Sequence, residues 1–121
     1  MTDRERLIGR LVPGDVFHAN SPNGASLICL AMSVTDSIIE ARTVTTQMHL
    51  EFVRRTGIAI WETDVKCTID SVAPLPVDVH QVILGIDRKF RLERNLERLK
   101  LSDAEKKALI FIDSHYSKNN I

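Results

Sequence analysis

The sequence predicts an α+β fold: a small antiparallel β-barrel or strongly twisted sheet, SH3-like or related, of five or six strands, followed by two C-terminal helices. Two observations carry this. From Asp15 to about Val72, β-branched residues are dense, and short apolar or alternating runs are broken by turn residues about every ten positions. After Pro76 the apolar period becomes helical. Strands first and helices afterwards set the helices to one side of an antiparallel sheet. A third observation is size, since 121 residues suit one core and are too few for two ordinary domains. We therefore read residues 1–121 as a single domain, with a β part over about 13–72 and a helical part over about 77–117.

The elements follow in order. Met1–Arg6 carries charges of both signs, and with Leu7–Arg10 forms a short helix or a mobile arm. Pro13-Gly14-Asp15 is a turn, because proline presets φ and glycine accepts positive φ, and it launches a strand over Val16–Asn20. Ser21-Pro22-Asn23-Gly24 turns the chain into a strand over Ser26–Val34, and Thr35-Asp36-Ser37 connects it to Ile38–Val44. A strand from Met48 to Arg54 then meets Ile58–Trp61 across Arg55-Thr56-Gly57, where glycine supplies the positive φ of a tight hairpin. The last strand, Val65–Val72, alternates Val65, Cys67, Ile69 and Ser71 against Lys66, Thr68, Asp70 and Val72. So many short strands leave edges that curling and closure would remove.

Pro74-Leu75-Pro76 stops the strand, and Asp78 caps or charge-stabilises a helix whose stripe is Val79, Val82, Ile83, Ile86 and Phe90. Gly85 in its middle is read as a close approach to another backbone. Ser102-Asp103-Ala104-Glu105 is a capping box opening a second helix, with Ala104, Ala108, Leu109 and Ile112 on one face and Phe111 and Tyr116 offset.

Composition narrows function. Sixteen Lys plus Arg balance sixteen Asp plus Glu, so no global field draws the chain to nucleic acid or an anionic membrane, and association with a second copy meets little repulsion. The longest nearly apolar run, Ser26–Val34, is far short of the ~20 residues that span a bilayer. A cytoplasmic protein without membrane contact is expected, with Cys29 and Cys67 reduced and buried. His18, His49, His80 and His115 are scattered without metal-ligand spacing, and no glycine-rich loop opens a helix, so neither metal nor cofactor is expected. Asp113-Ser114-His115 has triad residue types, but helix neighbours diverge by about 100° and cannot share one proton. Arg6 and Arg10 have the spacing of the arginine pair in cyclic-di-GMP-binding PilZ barrels, but the Asp/Asn-x-Ser-x-x-Gly element that accompanies it there is not found, and no family is assigned.

The basic stretch Arg88–Lys100 holds Arg88, Lys89, Arg91, Arg94, Arg98 and Lys100 against Glu93 and Glu97. Its functional reading is an anion-binding face; its plain reading is a solvated helix surface. The expectation is a non-catalytic interaction module for a protein partner or a second copy. Its candidate binding residues are Arg54, Arg55, Trp61, Arg88, Arg91, Arg94 and Arg98, with Phe52 as a further anchor or else a core residue. The alternatives are a nucleic-acid-binding barrel using Arg88–Lys100, or a small enzyme in which residues such as Asp15, His18, Glu40, Glu51, Asp64 and His80 converge only in the fold.

Overall fold

A computed structural model describes residues 2–60, 67–93 and 95–121. Its elements are α1 (Asp3–Ile8), β1 (Val16–Asn20), β2 (Ser26–Val34), β3 (Ile38–Thr43), β4 (His49–Val53), β5 (Thr68–Ser71), α2 (Val77–Leu92) and α3 (Asp103–Lys118), with a 3₁₀ turn over Leu96–Arg98. The strands form one antiparallel sheet in the order β4-β3-β2-β1-β5, curled into a half-barrel and followed by the two helices. The α+β expectation holds.

The glycine turns set the strand ends. Gly14, Gly24 and Gly57 all have positive φ, at 94°, 84° and 71°. At Gly57 an added Cβ would stand 2.7 Å from Arg4 and 2.8 Å from Ile8, so space as well as backbone demands glycine. The segment after Gly57 lies between the two ends of the curl. It bridges β4 through Phe52 and Ala59 and β5 through Ile58 and Thr68. Val53 N–H donates to Ile58 and Ala59 N–H donates to Cys67, at 2.9 and 2.8 Å. Backbone bonding therefore continues across the open side. Of the two predicted strands here, Ile58–Trp61 appears as bridges at Ile58 and Ala59, and Val65–Val72 as the shorter β5; Trp61 and Asp64–Lys66 lie outside the described residues.

Curling gives the sheet two buried faces. The inner face gathers Phe17, Ala19, Cys29, Ile39, Leu50, Phe52 and Ile69, with Ile8 and Leu11 closing one end. Phe52 is fully buried and meets Phe17 edge to face at 5.6 Å, so it is a core residue and not an interface anchor. On the outer face, Val16, Leu30 and Val44 pack beneath Ile83 and Ile86 of α2 and Ala108, Ile112 and Tyr116 of α3. Because β1 is covered on both sides, its first four residues are all buried, which is why it reads as a continuous apolar run broken only by His18.

At the start of α2 the charge-stabilising alternative holds, and elsewhere the helices depart from expectation in two places. The N-cap of α2 is Pro76, with no side-chain bond, and Asp78 sits in the first turn, where its charge complements the dipole. A Cβ at Gly85 would meet nothing within 4 Å, so this glycine marks open space, not close packing. In α3, Ala104 is exposed and Tyr116 is buried, since the inward stripe runs Glu105, Ala108, Ile112, Tyr116. Tyr116 donates its hydroxyl to the Val16 carbonyl at 3.2 Å, and burial pushes its pKa well up. Both cysteines are free and buried, and burial pushes both thiols up, Cys29 strongly.

Candidate functional site

The last turn of α2 and the segment leading to α3 enclose an open groove of about 430 Å³, lined by Arg88, Lys89, Leu92, Glu93, Arg98, Leu99 and Lys100. Local chemistry builds each wall. Helix α2 ends at Leu92 because Glu93 turns to an extended conformation, and the Glu93 carboxylate accepts from the Asn95 N–H at 3.0 Å. The Asn95 side chain accepts from the Glu97 N–H at 3.1 Å, an Asx cap on the 3₁₀ turn that presents Arg98. The capping box then starts α3, with the Glu105 N–H donating to Ser102 Oγ and the Ser102 N–H donating to Glu105 Oε1 at 3.2 and 2.8 Å. The same Glu105 oxygen holds Lys89 Nζ at 2.5 Å, tying the end of α2 to the start of α3. Lys89 and the Ser102 N–H together hold the Glu105 carboxyl below its ordinary range.

Charge in the groove is uneven. Lys89 is matched by Glu105, whereas Arg88, Arg98 and Lys100 have no ion-pair partner among the described residues. Arg91 turns toward the buried carboxylate of Asp87, 3.9 Å away, and does not line the groove. Between the free cations lies apolar surface: the Leu92 residue is 71% exposed and Leu99 half-buried. The groove surface is thus mixed, with exposed leucine beside cations that have no ion-pair partner among the described residues.

Arg54 and Arg55 belong elsewhere. They share a hollow of about 420 Å³ with Glu5, Arg6, Arg10 and Asp36, and so do not extend the α2 patch. Arg54 is structural in part, donating to the Gly9 carbonyl at 2.7 Å and the Thr35 carbonyl at 3.1 Å, while Arg55 is exposed. Trp61 and Arg94 lie outside the described residues. Of the predicted binding residues that are described, Arg88 and Arg98 line the groove, Arg54 and Arg55 line the second hollow, and Arg91 lines neither.

A second cluster joins His18 to two residues that the sequence does not single out. Ser26 at the start of β2, His18 on β1 and Asp70 on β5 stand side by side on the outer face, with Ser26 Oγ 2.5 Å from His18 Nε2 and Asp70 Oδ1 2.5 Å from His18 Nδ1. Asn20 donates its amide to the other Asp70 oxygen. The residues span fifty-two positions in sequence, and only the pairing of β1 with both β2 and β5 joins them. The signal available beforehand was the Ser21–Gly24 turn, which fixes Asn20 opposite Ser26 and sets His18 on the same face.

Comparison with protein-family models, curated proteins and solved structures returns no match. Among the described residues, no helix is long and apolar enough to cross a membrane, and no group of three or more His, Cys, Asp or Glu side chains is placed to hold a metal ion.

Proposed function

We propose that this chain is an interaction module that receives an acidic, leucine-bearing segment of a protein partner in the groove between α2 and α3. The observation that supports it most is the juxtaposition of Arg88, Arg98 and Lys100, which have no ion-pair partner among the described residues, with the exposed Leu92 and half-buried Leu99. Carboxylates on the partner would meet the guanidinium groups bidentately, and an apolar side chain would cover Leu92. The fixed wall, pinned by Lys89 on Glu105, lowers the ordering cost of such an encounter.

Nucleic acid is the less favoured occupant. Among the described residues no aromatic ring lines the groove for bases to stack on, Glu93 stands among the cations, and the chain as a whole carries no net charge. The test is fluorescence anisotropy of a labelled peptide carrying alternating acidic and leucine positions, titrated with the wild type and with an Arg88→Glu/Arg98→Glu variant. Saturable binding that the variant weakens about tenfold or more supports the reading. Binding that ignores the two charge reversals contradicts it.

A further inference from the structure

We infer that Ser26 is a nucleophile activated through His18 and Asp70, able to take an acyl or phosphonyl group at its Oγ. The connectivity carries the inference. An ionised carboxylate only accepts hydrogen bonds, so with Asp70 Oδ1 at 2.5 Å a neutral imidazole at His18 carries its proton on Nδ1 and presents Nε2 as the acceptor to Ser26 Oγ, again at 2.5 Å. This is the order of contacts in which a serine loses its proton to an imidazole that a carboxylate orients and stabilises once charged.

The surroundings hold that order in place. Asn20 donates to the second Asp70 oxygen, so the carboxylate does not rotate freely. The Tyr116 ring lies 5.4 Å from the imidazole and tilted against it, which fixes the ring plane, and the His18 side chain keeps only 9% of its exposure. Ser26 itself is exposed. It opens, together with Asp113 and Ser117 of α3 and Asn120 beyond the helix, onto a hollow of about 340 Å³. A base that is buried and a nucleophile that is open is the division such chemistry needs.

For an ester the step is complete with water as the only co-reactant. Ser26 Oγ bonds to the carbonyl carbon as its proton passes to His18 Nε2. The carbon–oxygen bond to the leaving group then breaks, and that proton leaves with the alcohol. Water, deprotonated by the same nitrogen, releases the acid and restores the serine. In this assignment the developing oxyanion is met by amide N–H groups on the hollow's rim, where Asn120 stands beside Asn20, whose amide is already engaged by Asp70. Asp113 and Asp70 make the rim acidic, so the substrate class is a small neutral or cationic ester, not an anionic one. A reactive centre of this kind departs from the expectation of a wholly non-catalytic module, and it stands independently of the groove between α2 and α3.

The experiment is labelling of the whole protein with an alkyl fluorophosphonate, in which the Oγ–P bond forms and fluoride leaves as the proton goes to His18. Intact mass and peptide mapping give the stoichiometry and the site, in the wild type, Ser26→Ala, His18→Gln and Asp70→Asn, each checked for fold by circular dichroism. The expected result is one adduct per chain, at Ser26, absent from Ser26→Ala and formed about a hundredfold or more slowly in the folded His18 or Asp70 variant. No adduct in the wild type, an adduct on another residue, or a labelling rate unchanged in both His18→Gln and Asp70→Asn overturns the inference. Should His18→Gln fail to fold, the Asp70→Asn rate and the Ser26→Ala mapping decide it.

Discussion

Arg42 on β3 forks its guanidinium onto the carboxylate of Asp87 on α2, Nε to Oδ1 at 2.9 Å and Nη2 to Oδ2 at 2.7 Å. Gln47, the only described non-glycine residue with positive φ, reaches the same carboxylate with its amide at 2.9 Å and the Val44 carbonyl at 2.8 Å. Burial alone would raise the Asp87 carboxyl. The hydrogen bonds from Arg42 and Gln47, with the charges of Arg42 and Arg91, outweigh burial and hold it below the ordinary range. Asp87 is thus the point at which the sheet, the β3–β4 turn and α2 are joined.

Asp87→Asn should therefore cost about 3 kcal/mol, because it removes one partner of a buried pair and leaves the Arg42 charge behind. Urea denaturation measures it. The pH dependence has a fixed sign: Asp87 and Glu105 are both depressed in the folded state, so their contribution is full above the unfolded carboxylate range and is lost as pH falls through and below it. The denaturation midpoint should hold from about pH 7 to about pH 5 and drop by about pH 3, less steeply in Asp87→Asn.

Two glycines should respond in opposite directions. Gly85→Ala places its methyl group in open space within α2 and should stabilise the protein by up to about 1 kcal/mol. Gly57→Ala forces a positive φ of 71° on alanine and drives its Cβ against Arg4 and Ile8, so it should destabilise by more than about 1 kcal/mol. Thermal melting of the pair distinguishes them by the sign of the shift.

Ser102→Ala should remove one half of the capping box at a cost of about 1 kcal/mol. The readout is hydrogen exchange in the first turn of α3, which should become faster while exchange in β1 changes little.

The buried thiols of Cys29 and Cys67 should react with a disulfide reagent only as the protein opens. Both should titrate within mixing time in denaturant and far more slowly in the native state. Prompt native reaction of both would contradict their burial.

Local chemistry explains which parts of this architecture were legible in the chain. Val16–Asn20 and Ser26–Val34 were readable to the residue because Gly14 and Gly24 punctuate them, and Ser102 with Glu105 announced α3. What depends on distant pairing was not. The bonding of β5 to β1, and of the Ile58–Ala59 segment to both β4 and β5, has no local mark. Gly85 carried no sign of whether its missing side chain faces a neighbour or a void. The basic run could not be divided beforehand either, since Arg91 is drawn to Asp87 and Lys89 to Glu105 by partners distant in space, while Arg88 and Arg98 remain free among the described residues. His18 was visible as a polar break in an apolar strand, but its neighbours Ser26 and Asp70 come from other strands.

The most direct measurement is a parallel anisotropy titration of two ligands with equal negative charge, the acidic leucine-bearing peptide and a mixed single-stranded DNA, at moderate salt, with the wild type and Leu92→Ser. The groove between α2 and α3 predicts that the peptide binds saturably, that Leu92→Ser weakens it by about tenfold or more, and that the DNA does not compete. DNA binding with no peptide binding, or peptide binding indifferent to Leu92→Ser, would contradict a protein-recognition groove.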